Sequence, residues 1–147
     1  MIAVDTNILV YAHRADSPWH AKAFAALSKL AGAKARWAIP WPCVHEFISV
    51  ATHPRIYDPP SQLEQAIDQV EAWLECPNVV LLEEGESYWP LFRERLREAR
   101  VVGPRVHGGR IAALCELHGV RALWTQDRDF SRFPWLRTEN PLVGAPR

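Results

Sequence analysis

Short apolar runs alternate along this chain with longer segments of helical periodicity. Residues 2–4, 37–39, 79–82 and 120–124 have the length and composition of buried strands, and a weaker strand pattern follows at residues 136–138. Strands that alternate with helices form mostly parallel sheets that carry helices on both faces. The sequence therefore predicts an α/β protein, a three-layer α/β/α fold with a mostly parallel five-stranded sheet.

Capping signals predict where several of the helices begin. Ser17 followed by Pro18 is typical of a helix start. Another helix is predicted from about residue 42 to residue 52, and Ser61 and Glu64 have the spacing of a capping box at the start of the next one. These signals supply the helices that the alternating pattern requires.

The composition is that of an ordinary globular protein of one domain. The chain has 147 residues, of which 48% are hydrophobic, and no apolar run approaches the ~20 residues of a membrane span. The N-terminus lacks the pattern of a signal peptide, and three cysteines are too few and too scattered for a disulfide framework or a zinc site. We expect residues 1–147 to form a single cytoplasmic domain with no membrane segment.

The formal net charge is zero, but the charges are segregated along the chain. Residues 58–86 carry eight acids and no Lys or Arg, whereas residues 93–137 carry ten arginines and no lysine. Such an arginine-rich segment is typical of a solvated surface. It is also suited to hold phosphate groups, because the planar guanidinium matches phosphate geometry. The sequence leaves both interpretations open.

Two of the predicted strands lead directly into carboxylates. The first strand is followed by Asp5, and the strand that ends at Trp124 is followed by Asp127 and Asp129. If these strands are neighbours where the strand order reverses, the carboxylates meet in the crevice in which open α/β folds bind ligands. The alternative is that Asp5 or Thr6 only caps the following helix.

Glu46 lies in the middle of a predicted helix that is otherwise mainly apolar. We expect this helix to be buried on most sides, where a carboxylate is costly unless it is ion-paired or bound to a cation. Glu46 can approach Asp5 and Asp127, because its helix follows the strand predicted beside the first. The alternative is an ion pair with a distant arginine.

Carboxylates gathered in this way predict a site for a hard divalent cation. Neighbouring carboxylates oppose each other's ionisation, and a cation with oxygen ligands, Mg²⁺ or Mn²⁺, removes that cost. Such a site suits phosphodiester hydrolysis, because the metal activates water and offsets charge on the phosphate. A phosphatase with an aspartyl nucleophile generally has a second Asp two residues after the first, and that position is Asn7. We therefore favour hydrolysis by metal-activated water.

These motifs together resemble a PIN-domain ribonuclease, and more narrowly the VapC toxins of bacterial toxin–antitoxin pairs. The likeness lies in residues 1–7, in Glu46 within its apolar helix, and in residues 125–130. It extends over nearly the full length through the stretches 51–55, 111–114, 130–134 and 140–142.

The resemblance implies a PIN-like five-stranded parallel sheet, Mg²⁺-dependent cleavage of RNA, a homodimer, and inhibition by a cognate antitoxin that lies across the active-site groove. It implies that Asp5 and Asp127 are metal ligands. The acidic residues of the catalytic site would be Asp5, Glu46 and Asp127, with Asp129 close by, and the supporting hydrogen-bonding residues would be Thr6, Asn7 and Thr125.

One position departs from the family pattern. Members usually carry an Asp at the start of the helix that here begins near His107, and this chain has Gly108 there. The change removes a carboxylate expected to hold the metal, and adjacent glycines each cost up to ~1 kcal/mol in a helix relative to Ala. We therefore expect weak Mg²⁺ binding and slow cleavage. The alternative is an inactive module of the same fold that binds RNA or an antitoxin without cleaving.

Overall fold

The computed structural model describes residues 1–144 and contains five strands and six α-helices in this part of the chain. The strands are β1 (Ile2–Val4), β2 (Trp37–Pro40), β3 (Val79–Leu82), β4 (Ala122–Trp124) and β5 (Thr138–Glu139). The helices are α1 (Thr6–His13), α2 (His20–Gly32), α3 (Trp41–Ala51), α4 (Leu63–Leu74), α5 (Tyr88–Ala99) and α6 (Arg105–Leu117).

All five strands are parallel and are ordered β3-β2-β1-β4-β5. The predicted fold class is therefore confirmed. β1 lies at the centre, and the chain builds outward from it on one side before β4 and β5 add on the other. Val4 pairs with Trp124, so the carboxyl ends of β1 and β4 lie side by side. This is the reversal of strand order at which open α/β sheets form a ligand crevice.

The core consists of the strands and of the helix faces that cover them. Val4, Trp37 and Leu123 are each at most 1% exposed, as expected for strands buried on both faces. Helix α1 packs against α2 and α3, and α3 packs against α4, whereas α5 packs against α6. The packed helices therefore keep these short parallel strands in place.

Two of the predicted helix starts are wrong by a few residues. Helix α2 begins at His20, because Ser17 Oγ instead accepts from Trp19 N at 3.1 Å and closes a turn. The capping box lies one residue later than predicted, where Gln65 Oε1 accepts from Gln62 N at 2.8 Å. Ser61 does not cap, since its hydroxyl is buried and bonded elsewhere.

Helix α3 differs from the prediction that it is buried on most sides. Its buried residues lie on one face, whereas His45, Glu46 and Ser49 are exposed. The apolar composition overstated the burial because one face of the helix borders open solvent. Glu46 is therefore not in an apolar environment, and the expected desolvation of its carboxylate is wrong.

Smaller differences concern the last third of the described chain. Helix α6 begins at Arg105, two residues before the start near His107 that the sequence suggested, so residues 107–109 lie in its first turns. β4 begins at Ala122, and β5 lies at Thr138–Glu139. Within residues 1–144, none of the helices combines the length and the apolar character needed to cross a bilayer.

Candidate active site

Asp5 joins the central strand to the first helix. Its Oδ1 accepts from Thr6 N at 2.8 Å and caps α1, while its backbone N donates to Trp124 O at 2.9 Å. The side chain is only 5% exposed. The two interpretations of the sequence are therefore compatible, because Asp5 is a helix cap and also lies at the reversal of strand order.

Side chains from both central strand ends surround the Asp5 carboxylate. Thr125 Oγ1 donates to Asp5 Oδ2 at 2.7 Å, and Asn7 Nδ2 donates to the same oxygen at 3.2 Å. Asn7 also donates to Thr125 Oγ1 at 3.1 Å and accepts from Gln126 N at 3.1 Å through its Oδ1. Cys43 Sγ completes the shell 3.6 Å from Asp5 Oδ1. This network orients one buried carboxylate and ties the β1 end to the β4 end.

Glu46 reaches the same edge of the sheet from α3. Thr6 Oγ1 donates to Glu46 Oε2 at 2.7 Å, which holds the carboxylate next to the start of α1. Glu46 forms no ion pair with a Lys, Arg or His of residues 1–144. The alternative of a structural pair with a distant arginine is therefore not observed.

The charge state of Asp5 follows from this environment. Burial raises the pKa of the Asp5 carboxyl above its ordinary value, and the nearby Glu46 carboxylate raises it further. The hydrogen bonds from Thr125 and Thr6 oppose the shift by stabilising the ionised form. Repulsion between carboxylates was the expected cause, but burial is the larger one.

Asp127 and Asp129 follow β4 on a short 3₁₀ turn. Asp127 N donates to Thr125 Oγ1 at 3.0 Å, and Asp127 Oδ1 accepts from Asp129 N at 2.8 Å. Both side chains are exposed. Asp127 lines the same groove as Asp5 and Glu46, whereas Asp129 lines only the adjacent hollow. Three of the four predicted acids therefore share one groove, and the fourth lies beside it.

The groove that contains these acids is open and has a volume of about 470 Å³. The lining comes from the carboxyl ends of β1 and β4, from α1, α3 and α6, from the segment after α3, and from the 3₁₀ turn after β4. The other lining residues are Val10, Tyr11, Val50, Ile56, Tyr57, Pro104, His107, Gly108, Ile111 and Phe130. The groove thus combines an acidic centre with largely apolar walls.

Comparison with known proteins agrees with this arrangement. The family model of the PIN domain matches residues 2–136. The chain belongs to the PIN-domain family. Ribonuclease VapC43 of Mycobacterium tuberculosis is 34% identical over 145 residues, covering 98% of this chain and 97% of that protein. Ribonuclease VapC48 of the same organism is 29% identical over 140 residues, covering 95% and 97%.

Solved structures confirm the fold of this PIN domain. VapBC2 from Rickettsia felis, solved with a promoter DNA fragment, matches with a TM-score of 0.69 at 21% identity, covering 95% of this chain and 98% of that chain. VapC20 from Mycobacterium tuberculosis, described as a sarcin–ricin loop cleaving toxin, matches with a TM-score of 0.63 at 12% identity, covering 89% and 93%.

Gly108 occupies the groove position at which other PIN domains are expected to carry an Asp. A Cβ atom added there would lie 3.9 Å from Phe133 Cε2 and 4.0 Å from Phe130 Cε1, which are ordinary contact distances. Gly108 lies within α6 and is not among the glycines with positive φ. The Cβ atom of a larger residue therefore fits at this position without displacing its neighbours.

The donor atoms of the site suit a hard cation, but they do not form a closed cage. Among residues 1–144, no three His, Cys, Asp or Glu side chains are close enough together to hold a metal ion. Mg²⁺ usually retains several waters and needs only one or two protein carboxylates together with substrate phosphate oxygens. Asp5, with one further carboxylate of the groove, fits an open site of that kind.

Sequence reasoning missed several groove residues. Tyr11 lies four residues after Asn7 in α1, and its hydroxyl donates to Gln126 Oε1 at 2.9 Å. The i, i+4 spacing places Tyr11 on the helix face of Asn7 and was a usable signal. Ile56 and Tyr57 had no such signal, because they lie outside the helices and strands.

Proposed function

We propose that this PIN domain is the Mg²⁺-dependent endoribonuclease toxin of a VapBC-type pair, acting in the cytoplasm, with its activity lowered by Gly108. The observation that carries the proposal is the convergence of Asp5, Glu46 and Asp127, distant in sequence, on one groove at the strand-order reversal. None of the three forms an ion pair within residues 1–144. A buried carboxylate is usually paired with a basic group, and the buried Asp5 is not.

The residues of the site have distinct roles in this proposal. Thr125 and Asn7 orient the Asp5 carboxylate, and Thr6 holds Glu46 toward the groove. Asp127 adds a third carboxylate from the β4 end. A bound Mg²⁺ or Mn²⁺ supplies an activated water and offsets charge on the phosphate oxygens.

The arginines support RNA as the substrate. Six of the ten arginines between residues 93 and 137 form ion pairs with acids, which are Arg93, Arg95, Arg97, Arg110, Arg121 and Arg137. Arg105 and Arg132 form no ion pair within the described residues and line the hollow that contains Asp127 and Asp129. We assign them to RNA phosphates next to the cleaved bond.

We also propose a cognate antitoxin and a homodimer. The Rickettsia felis neighbour and a neighbour from nontypeable Haemophilus influenzae are both VapBC structures. We assign the whole chain, residues 1–147, to a single domain. Trp89 is 57% exposed, and an exposed tryptophan is a frequent anchor of protein interfaces.

The second candidate function is an inactive module that binds RNA or an antitoxin without cleaving. Gly108 favours it, because the groove lacks one expected acid and the described residues form no three-ligand cluster. RNA cleavage in Mg²⁺ or Mn²⁺ by the wild type and by Asp5→Asn separates the two. Cleavage that Asp5→Asn abolishes supports the nuclease, whereas RNA binding without cleavage in either protein supports the inactive module.

A further inference from the structure

One wall of the groove is apolar and comes from the irregular segment between α3 and α4. Ile56 is 53% exposed and Tyr57 is half-buried, and both line the groove that contains Asp5 and Glu46. Val10 and Val50 extend this wall from α1 and α3. The catalytic chemistry proposed above uses none of these side chains.

Arg14 fastens this segment to the end of α1. Its Nη2 donates to Pro59 O at 2.8 Å, and its Nη1 donates to Ser61 Oγ at 3.2 Å. The guanidinium carbon lies 4.4 Å from the centre of the Tyr57 ring, within cation–π distance. His13 Nε2 adds a contact of 2.9 Å to Ser61 Oγ. Tyr57 is therefore held at the groove before any ligand binds.

The acids lie between a hollow that contains arginines and the apolar wall, and this arrangement indicates what the wall contacts. Arg105 and Arg132 lie in the hollow that shares Pro104, Gly108, Asp127 and Phe130 with the groove. Cationic groups thus border the acids through this hollow, and an apolar wall with an aromatic ring borders them in the groove. RNA alternates anionic phosphates with flat bases, and bases stack on aromatic side chains without strict sequence preference. A ligand of this alternating chemistry matches both borders at once.

We propose that Ile56 and Tyr57 form a nucleobase-binding wall for a nucleotide adjacent to the phosphate at the acidic centre. This inference rests on the proposed function, because it takes RNA as the occupant of the groove. A peptide from an antitoxin is the competing occupant of the same wall, and the test separates the two.

The test measures binding of a short single-stranded oligoribonucleotide in Mg²⁺ by fluorescence anisotropy, with its integrity checked on a gel. A single abasic nucleotide is moved through the oligonucleotide one position at a time. For the wild type, we expect a loss of roughly tenfold in affinity at one position, where the base meets the wall. Tyr57→Ala should bind the intact oligonucleotide roughly tenfold more weakly and show no further loss at that abasic position.

Two variants serve as controls, and a third is a substitute for Tyr57→Ala. Tyr57→Phe keeps the ring and should bind within about twofold of the wild type. Phe24→Ala removes an exposed aromatic side chain on α2 that does not line the groove, and it should leave affinity unchanged. If Tyr57→Ala fails to fold, Ile56→Ser provides the same comparison at a largely exposed position.

The outcomes distinguish this inference from the proposed function. Cleavage of RNA with no dependence on Tyr57 or Ile56 overturns the base-binding wall and leaves the nuclease proposal intact. Base-dependent binding without cleavage supports the wall and overturns the nuclease proposal. Unchanged RNA binding by Tyr57→Ala together with weakened binding of an antitoxin peptide assigns the wall to the peptide and overturns the inference.

Discussion

The surroundings of Asp5 favour opposite charge states of its carboxyl group. As the cap of α1 and the acceptor of the Thr125 hydroxyl, its carboxylate is stabilised by hydrogen bonds. Burial and the neighbouring Glu46 nevertheless raise its pKa, so the ionised form is the costly one in the free protein. A bound cation reverses this balance, which couples metal binding to the stability of the central strand end.

We predict a pH signature of this cost in the metal-free protein. The folded-state pKa of Asp5 lies above that of an unfolded chain, where an Asp titrates near about 3.9. The contribution of protonated Asp5 to the free energy of unfolding is fully present below the unfolded-state pKa. It is lost as the pH rises through the raised folded-state pKa. Asp5→Asn has no such loss. Its free energy of unfolding should therefore increase relative to that of the wild type as the pH rises from acidic to neutral.

Urea unfolding of both proteins across that pH range in chelator provides the measurement. Hydrogen bonds that Asn cannot reproduce shift the Asp5→Asn value equally at every pH, so only the change with pH is diagnostic. A difference between the two proteins that stays constant, or that moves toward the wild type at neutral pH, contradicts the raised pKa.

At the scale of single residues, the sequence predicted the polar centre better than the walls. Asp5, Asn7 and Thr125 follow strand ends that pair in register, so their meeting could be inferred from the order of the strands. Tyr57 reaches the groove because Arg14 holds an irregular segment in place. No periodicity encodes that contact, since it depends on tertiary structure.

A cluster of contacts around Arg95 joins α5 to α6. Its Nε and Nη2 donate to the two carboxylate oxygens of Glu116, and its guanidinium carbon lies 5.1 Å from the centre of the Trp135 ring. We expect Arg95→Ala to lower the free energy of unfolding by roughly 1–2 kcal/mol, because it removes a bidentate contact between partly buried groups.

The matched control is Arg97→Ala on the same helix. Arg97 pairs with Glu94 within one helix, and its side chain is 69% exposed. Pairs of this kind contribute about 0.3–0.5 kcal/mol. Chemical denaturation of both variants tests the cluster, and equal effects of the two substitutions would show that the Arg95 contacts add nothing.

At the scale of elements, periodicity and composition predicted where strands and helices lie but not which helix faces are covered. The apolar sequence of α3 suggested burial on most sides, yet Glu46 faces an open groove. Similarly, Ser17 and Ser61 had the spacing of helix caps, but both hydroxyls form hydrogen bonds with other nearby groups. Local patterns report propensity, whereas the neighbours of each side chain are set by the fold.

The whole molecule has no net charge, so RNA binding in this account depends on where its arginines lie. We predict that Arg105→Ala and Arg132→Ala each weaken RNA binding and reduce the salt slope of log affinity by roughly 0.7 per lost phosphate contact. Arg121→Ala is the control, because Arg121 pairs with Glu139 at the β5 edge. Anisotropy titrations at several salt concentrations give the slopes, and three equal slopes would exclude a specific role for Arg105 and Arg132.

The fold class was predictable, because strands that alternate with helices indicate a mostly parallel sheet. The reversal of strand order beside β1 was only a condition of the predicted site, and the strand pairing meets that condition. The groove itself was not predictable, because its lining combines α1, α3, α6 and an irregular segment. Gly108 links the sequence pattern to the groove. It is a single sequence departure that the fold places on the groove wall, with room for the Cβ atom of a larger residue.

The most direct measurement is a calorimetric titration of Mg²⁺ into the wild type, Gly108→Asp and Gly108→Ala. The alanine variant controls for helix propensity, since replacing the glycine alone stabilises α6 by up to about 1 kcal/mol. We expect Gly108→Asp to bind Mg²⁺ at least about tenfold more tightly than the wild type, because it adds a carboxylate to an open oxygen site. Gly108→Ala should bind as the wild type does. Equal Mg²⁺ affinity in all three proteins would contradict the assignment of this groove to a divalent cation completed by an acid at position 108.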